Sequence, residues 1–478
     1  MASLRDLPRA GAVARLAPAA RRQRATARRS GAVRAPRPAE PCRCGSCTGG
    51  VHDGEPSVTR LTGFGRTAPR ECRLVEPADV AEIARILSTE SGPVIARGAG
   101  GAYGDAALQT NLTLSTRRLD RLLAFDPTTG IVRAEAGLTL AALLQHATPD
   151  GWSVPVLPGT QAVTLGGMAA ADVHGKNHPA AGSFGAHVRG LQIVDAQGQV
   201  RECAPDSELF GASLGGMGLT GIITQVTLQL ERAPWTWWRE ERLHVETLHD
   251  LLAAFDTPAP MQAAWMDGHR AILHRAAPLD RPAPPPGPRW RPSVPVDAPG
   301  FLLSRPAIAL FNTLRRGTLA RSRETTLDRI AFPLDGIANW NRLYGRAGFH
   351  QYQCLLPPEP AESALAAVWR AIARAGVKPA LAVLKRLGAS RSPAWIGFAC
   401  PGFTLALDFP ASARTLRLMD ELDAIVADHM GRLYLAKDSR TSPAMLRRLQ
   451  PEVEHFANWR RATGADRFQS ALSQRLAL

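Results

Sequence analysis

Apolar residues along this chain repeat with two periods. Val80, Ile83 and Leu87 stand three and four apart, which predicts a helix over 77–87 with Asp79 in its first turn. Further helices are expected over 138–147 and 358–375, and the C-terminus reads as helical. Short runs rich in Val, Ile and Leu predict strands over 94–96, 112–115, 122–125, 131–135, 154–157, 191–194 and 222–230. Later strands are expected over 381–384, 403–409 and 432–437, and Lys385 and Lys437 interrupt two of these apolar patterns. Composition changes at 231–242, where Trp235, Trp237 and Trp238 cluster, and this marks a domain boundary. Residues 278–299 hold nine prolines in 22 positions. Such a segment cannot occupy the middle of a sheet and is expected to be a mobile loop. The apolar segment 301–314 runs into Arg315-Arg316. No apolar run reaches 18 residues, so no membrane span is expected.

The length of 478 residues suits two domains and a tail, and 45% hydrophobic residues are ample for a core. The net charge of +15 is unevenly placed: ten arginines and two acids in residues 1–40 supply +8 of it. The remaining +7 suits an anionic substrate or an anionic membrane surface. No nucleic-acid-binding pattern accompanies it, and no nucleic-acid partner is expected. The Arg-rich start lacks the apolar stretch of a secretory signal. Seven scattered cysteines do not make a disulfide framework and point to a reducing compartment. Cys42, Cys44 and Cys47, with His52 beyond, lack a second half, so they read as incidental and no metal is expected.

The chemistry lies in four glycine-containing segments. The first is Arg97-Gly98-Ala99-Gly100-Gly101-Ala102-Tyr103-Gly104-Asp105. Pro158-Gly159-Thr160 and Gly166-Gly167 lead into Ala169-Ala170-Ala171-Asp172-Val173-His174-Gly175-Lys176-Asn177-His178, and Gly215–Gly221 follows. Glycines at the ends of apolar runs let backbone N–H groups approach a phosphate closely. A dinucleotide fold of the Rossmann kind needs a helix directly after its loop. Here the strand expected over 112–115 follows too soon for one, so phosphate must be held by strand-to-strand turns. A histidine and a lysine among these turns suggest a large anionic cofactor with a reactive ring.

The order and spacing of these segments resemble the vanillyl-alcohol-oxidase type of FAD flavoprotein. Within it, the chain is similar to the decaprenylphosphoryl-β-D-ribose 2-oxidase family, over about residues 60–478 with an interruption at 278–330. The resemblance implies an α+β fold of two domains, the second built on an antiparallel sheet. Residues 1–56, rich in Arg, Ala, Pro and Gly without periodicity, read as a disordered basic tail outside it, and the rest divides into an FAD-binding domain over 57–235, a substrate-binding domain over 236–431, and a return to the first domain over 432–478. The resemblance carries the cofactor role onto Ala96, Arg97, Gly98, Ala99, Gly100, Gly101, Ala102, Tyr103, Gly104, Asp105 and Ala106. The same role falls on Gly159, Thr160, Thr164, Gly166, Gly167, Ala171, His174, Gly175, Ile223 and Tyr434. Gly101 stands where some members carry a histidine bonded to the flavin, so the FAD is expected to be non-covalent.

The segment Ala436-Lys437-Asp438-Ser439-Arg440 matches the family strongly, and the resemblance makes Lys437 and His174 catalytic. Lys437 is expected to act as proton acceptor or as electrostatic anchor. Lys385 is expected on the substrate phosphate, with Trp265, Tyr344, Gln353 and Lys437 around the sugar. Lys176 and His178 receive no such role. Phe64 replaces the usual tryptophan, Gly101-Ala102 an Arg-Ser pair, and Thr404 and Ala406 the Asn and Cys of well-known members, which leaves the sugar open. The implied activity is FAD-dependent oxidation of the 2-hydroxyl of a polyprenyl-phosphate ribose to the 2-keto sugar. Quinone or oxygen would be the electron acceptor, and a short-chain reductase would complete an epimerisation to the arabinose donor. A cytoplasmic enzyme, peripheral at the inner membrane surface, is expected. The rivals are an oxidase or dehydrogenase of a soluble sugar, alditol or aldonolactone, and a flavin-fold protein that serves only as a binding subunit.

Overall fold

A computed structural model of the chain describes residues 33–34, 57–284, 291–318 and 321–478. Its first sheet holds β1 (Ser57–Leu61), β2 (Arg70–Val75), β3 (Ile95–Arg97) and β4 (Thr113–Ser115), in the order β1-β2-β4-β3. β2 and β3 both run parallel to β4, and helix α1 (Val80–Thr89) lies between β2 and β3 in the chain. Asp79 is the N-cap of α1 rather than part of its first turn: its carboxylate accepts from Glu82 N at 2.8 Å, and Glu82 is the first-turn acid.

The second sheet contains β5 (Arg121–Phe125), β6 (Ile131–Glu135), β7 (Val188–Val194), β8 (Val200–Cys203) and β9 (Ile222–Gln229). Its order is β5-β6-β9-β7-β8, with antiparallel neighbours. Helices α2 (Leu140–Ala147) and α3 (Leu165–Ala170) bury Leu143, Leu144, Leu165 and Met168 in one core with Val132, Ile193 and Val226 of this sheet. Val33–Arg34 pair with Leu122 and Arg121 on the edge of β5. At these two residues the expected structureless tail is therefore a short strand, because β5 offers an open backbone edge. The rest of 1–56, with Cys42, Cys44 and Cys47, lies outside the described residues.

The third sheet has eight strands: β10 (Thr236–Val245), β11 (Met261–Asp267), β12 (Arg270–Pro282), β13 (Ser322–Thr326), β14 (Phe349–Leu356), β15 (Leu381–Leu387), β16 (Gly402–Pro410) and β17 (Arg432–Leu433). Its order is β13-β10-β12-β11-β15-β16-β14-β17, antiparallel throughout. Side chains alternate across it with period two. Tyr352, Cys354, Leu384, Leu405 and Leu407 point to one face. There they share a core with α4 (Leu248–Ala254), α5 (Ala361–Ala375) and α6 (Ala413–Asp428). The buried residues of α5 (Ala361, Ala364, Leu365, Val368, Ile372) follow the helical spacing that matches this face. Their alternates in the strands form the opposite face. Helices α7 (Pro443–Leu449), α8 (Val453–Thr463) and α9 (Ala471–Leu476) follow β17. The chain then runs back along the first sheet, where Gln469 N donates to Val94 O at 3.0 Å and Ala471 N to Leu108 O at 2.8 Å. The arrangement is a two-domain α+β fold.

Three expected elements differ. The strand foreseen over 154–157 is displaced to Trp152–Ser153, which pairs with Glu231–Arg232. Val154, Val156 and Leu157 are buried without laddering, and Pro155 and Pro158 have no N–H to give. The strand foreseen over 432–437 stops at Leu433, and Lys437 lies on a turn where its N–H donates to Tyr434 O at 2.9 Å. The proline-rich segment is strand through Pro282. Past Ala276, β12 pairs with β10 alone, so a missing N–H can face the open side. The apolar segment after it forms a 3-10 turn (Gly300–Leu303) and the helix Arg305–Thr318.

Candidate active site

No helix occurs between β3 and β4, as the short spacing implied. The intervening loop is instead clamped between other backbones. A Cβ on Gly104 would lie 1.9 Å from Asp438 O, one on Gly63 would lie 2.0 Å from Gly104 O, and one on Gly98 would lie 2.3 Å from Thr164 Oγ1. Only glycine permits this stacking, and Gly100 adds a left-handed φ of +68°. By contrast, a Cβ on Gly159 would meet nothing within 4 Å, and one on Gly101 only Val163 Cγ1 at 3.4 Å. Gly101 and Gly159 thus bare their backbone toward open space, a surface that fits a long anionic cofactor.

Several predicted cofactor side chains brace this loop. Arg97 Nη2 donates to Thr62 O at 2.9 Å. Asp105 accepts from Nε and Nη2 of Arg475 at 3.1 and 2.9 Å, which ties the loop to α9. Thr164 caps α3 by accepting from Gly167 N at 3.3 Å, and Gly166 sits against Ala136. Thr160 Oγ1 accepts from Ala162 N, while Gln161 N donates to Asp335 at 2.8 Å. Ile223 is buried in the core shared with Leu165 and Met168 of α3. Ala96 and Ala102 are partly buried, and Ala106 is buried beside Tyr434 in a separate core.

The segment after α3 turns sharply at Asp172, whose φ is +39° and whose buried carboxylate accepts from Gly185 N at 2.8 Å. Burial raises Asp172 to about 6, against its hydrogen bonds. Two histidines follow with different fates. His178 Nδ1 accepts from Gly388 N at 3.0 Å and its Nε2 faces Ser183 Oγ at 3.2 Å, so both nitrogens are satisfied within the fold. His174, 6% exposed, has Gln353 Nε2 at 3.0 Å from its Nε2, while its buried Nδ1 has no partner among the described residues. Burial, then the charges of Lys385, His178 and Lys437, hold His174 well below the usual histidine range, against a smaller upward pull from the Gly175 backbone. Tyr434 stacks on Phe398 at 4.7 Å near the His174 ring, and its hydroxyl donates to Ala171 O at 2.9 Å.

The second face of the eight-stranded sheet is polar. Cross-strand pairs place Gln351 beside Asp408, Gln353 beside Ala406, Lys385 beside Thr404, and Trp265 beside Val383. Lys437 reaches this face from its turn, with Nζ 3.7 Å from the centroid of the Tyr103 ring. Burial pushes Lys437 down to about 7, with Asp408 pulling up and Lys385 pushing down. Burial lowers Lys385 to about 8. Lys176 falls to about 7 through burial and the charge of Lys385, and its ammonium donates to Ile330 O. Asp408 is fully buried, accepts from Gln351 Nε2 at 2.6 Å and from Tyr344 OH at 3.0 Å, and is raised by burial to about 6.

The fold therefore gathers His174, Gln353, Lys385 and Lys437, predicted from separate segments. Tyr344 stands one layer back, its hydroxyl committed to Asp408 and its ring stacked on Phe349 at 3.9 Å. Asp408 and Arg315 were given no role by the sequence reading, and Lys176 was considered there and assigned none. Arg315 lies over the Trp265 ring at 5.2 Å. A signal for Asp408 existed: in Phe-Thr-Leu-Ala-Leu-Asp-Phe it shares parity with Thr404 and Ala406, opposite the leucines. Among the described residues no group of three potential ligands could hold a metal. A neutral imidazole, lysines able to change charge near neutrality and a backbone cradle suit anion binding and proton transfer beside a redox cofactor.

Comparison with known proteins agrees with this geometry. The family model described as "FAD binding domain" matches residues 72–204, which include the glycine loop and His174. Decaprenylphosphoryl-beta-D-ribose oxidase of Mycolicibacterium smegmatis is 35% identical over 459 residues, covering 88% of this chain and 98% of that protein. An uncharacterised protein of Streptomyces coelicolor is 33% identical over 71% of this chain and its own full length. An alditol oxidase of a Streptomyces species is 28% identical, but over only 33% of this chain and 38% of its own. The open glycine backbones and the unpartnered Nδ1 of His174 fit FAD, which supplies the hydride acceptor when bound. The chain belongs to the decaprenylphosphoryl-β-D-ribose oxidase family of FAD-binding oxidoreductases.

Proposed function

We propose that this enzyme oxidises the 2-hydroxyl of a polyprenyl-phosphate ribose to the 2-keto sugar, the first half of an epimerisation to the arabinose donor. The observation that carries this reading is the convergence of Lys176, Lys385 and Lys437 on one site, where the facing carboxyl, Asp408, is already engaged by Gln351 and Tyr344. Lysines that outnumber the carboxylates acting on them in a partly dry site favour an anionic substrate. Lys385 and Lys176 take the phosphate. Lys437, near neutrality through burial, takes the proton of the reacting hydroxyl. Trp265 walls the sugar, with Arg315 above its ring. The FAD is held without a covalent bond, because Gly101 has no side chain to attach it.

The helix Arg305–Thr318 supports a lipid-linked substrate. It exposes Leu310 at 61%, Phe311 at 55% and Leu314 at 58%, on the helix that also places Arg315 over Trp265. An exposed apolar face next to a substrate wall suits a polyprenyl chain and contact with a bilayer. The reading includes a peripheral place at the cytoplasmic face of the inner membrane, quinone or oxygen as electron acceptor and a short-chain reductase consuming the keto sugar. The alternative is a soluble alditol or aldonolactone. The test is anaerobic titration followed by flavin absorbance. Polyprenyl-phosphoribose is expected to bleach the flavin, and free ribose and alditols are not. Bleaching by an alditol or aldonolactone with the phospholipid sugar inert would replace the reading with its rival.

A further inference from the structure

The hydrogen bonds behind His174 determine which of its nitrogens carries the proton. The chain of contacts starts at the Cys354 carbonyl, which can only accept. Thr404 Oγ1 lies 2.9 Å from it and donates there. The Thr404 oxygen is then left to accept, and Gln353 Nε2 lies 3.0 Å from it. Gln353 must therefore turn its NH₂ to this side, since its amide oxygen would face a hydroxyl whose proton is already used. The second proton of the same NH₂ points at His174 Nε2, 3.0 Å away. That nitrogen must present a lone pair. A neutral imidazole with a bare Nε2 carries its proton on Nδ1. Gln353, Thr404 and Cys354 are all buried, so these hydrogen bonds are shielded from bulk solvent.

Nδ1 is the atom left buried without a partner among the described residues. A buried N–H with nothing to bond is disfavoured, so such a group in a working site calls for a ligand atom. His178, four residues on, shows the opposite arrangement. Its Nδ1 accepts from Gly388 N, so its proton resides on Nε2 and is given to Ser183. The fold thus holds two neighbouring histidines in opposite tautomers and leaves only one with a spare donor.

We propose that Gln353, braced by Thr404, is a positioning residue that fixes His174 as the neutral Nδ1–H tautomer, so that the imidazole offers a hydrogen-bond donor to an acceptor atom of the bound cofactor. Both Gln353 protons are spent in this role, and only its Oε1 remains to accept from a sugar hydroxyl. Thr404 acquires a purpose its sequence position did not reveal: a hydroxyl there both receives and passes on a hydrogen bond. The inference depends on the FAD-binding activity of the family and not on which sugar is oxidised.

The test is ¹⁵N NMR of the histidine-labelled holoenzyme near neutral pH, with the His174 signals assigned by their loss in His174→Gln. A protonated Nδ1 and a bare Nε2 are expected. In Gln353→Glu the carboxylate accepts instead of donating, so Nε2 should gain a proton, while His178 keeps its pattern. If Gln353→Glu does not fold, Thr404→Val serves: the amide loses its brace, and His174 should no longer show a single tautomer. A proton on Nε2 in the wild type, or an unchanged His174 in folded Gln353→Glu or Thr404→Val, overturns the proposal.

Discussion

The two faces of the eight-stranded sheet are built from alternate residues of the same strands, yet they do opposite things. On the helix-covered face Cys354, Leu384, Leu405 and Leu407 are buried among Leu365, Val368 and Leu422. On the other face their neighbours Gln353, Lys385, Thr404 and Asp408 are held against the glycine loop and His174. The first face stabilises by removing apolar area from water. The second buries polar and ionisable groups, which disfavours the folded state unless each is paired. The fold supports a destabilising surface on one side of a sheet with a stabilising one on the other, and the reactive groups occur where burial moves their proton affinity.

The comparison is broken most directly by removing the central amine. Lys437→Ala is expected to slow flavin reduction by substrate about 10²–10⁴-fold, the usual range for loss of a general base. FAD should be retained, because the cradle proposed for it is made of backbone groups and not of this side chain. Lys437→Arg should restore little, since a guanidinium keeps its proton. Anaerobic stopped-flow absorbance, with flavin content measured in parallel, reads both. A rate within tenfold of wild type for the alanine variant would make Lys437 structural.

The opposite face should respond in stability instead. Leu407→Ala, beside Tyr352 and Ala382, is expected to lose about 2–5 kcal/mol in denaturant unfolding. Flavin reduction by the folded fraction should stay near wild type. A large change in rate with little change in stability would mean that the two faces are not separate in role.

Asp408 sharpens the comparison through pH. Its folded pKa, about 6, lies above the carboxylate reference, so the unfolded chain releases this proton first as pH rises. Its contribution is fully present below about pH 4 and is lost as pH rises through about 6. Asp408→Asn should remove that slope and, at pH 7, be more stable by up to about 3 kcal/mol. It should also move the pH limb of flavin reduction below 7, because the pull of Asp408 on Lys437 is gone. The three lysines act in the opposite sense: their pKa values are lowered, so stability rises with pH between about 7 and 10. Unfolding curves of the wild type and the variant from acid to alkaline pH would test this, and parallel profiles would assign the slope to other groups such as Asp172.

The smallest effect concerns the outside. Replacing Leu310, Phe311 and Leu314 together by serine should change stability by about 0.5 kcal/mol or less per site, as exposed positions do. Sedimentation with anionic vesicles should nevertheless fall. Unchanged vesicle binding would remove the bilayer contact from the proposal.

Much of this was legible along the chain. The strand of 131–135 lies where its apolar run placed it, and the helix expected over 138–147 forms over Leu140–Ala147. The absence of a helix after the glycine loop was readable from spacing alone. What failed did so for identifiable reasons. The run 154–157 is apolar because it is buried, not because it ladders, and prolines flank it. Tyr434-Leu435-Ala436 is apolar for the same reason, and the chain turns there because Tyr103 N must reach Ala436 O. The prolines at 278 and 282 were compatible with a strand because one side of β12 is unpaired there.

The sequence by itself determined the backbone freedom of Gly63, Gly98 and Gly104, the alternation that sorts Thr404, Ala406 and Asp408 from Leu405 and Leu407, and the family. These are local properties, set by the presence of a Cβ and by the two-residue pleat. Only the tertiary structure decided that lysines at 176, 385 and 437 share one site, that Asp105 serves α9, and that His174 and not His178 keeps a spare donor. Proton affinity and hydrogen-bond completion depend on burial and on partners hundreds of residues away, and a linear pattern carries neither.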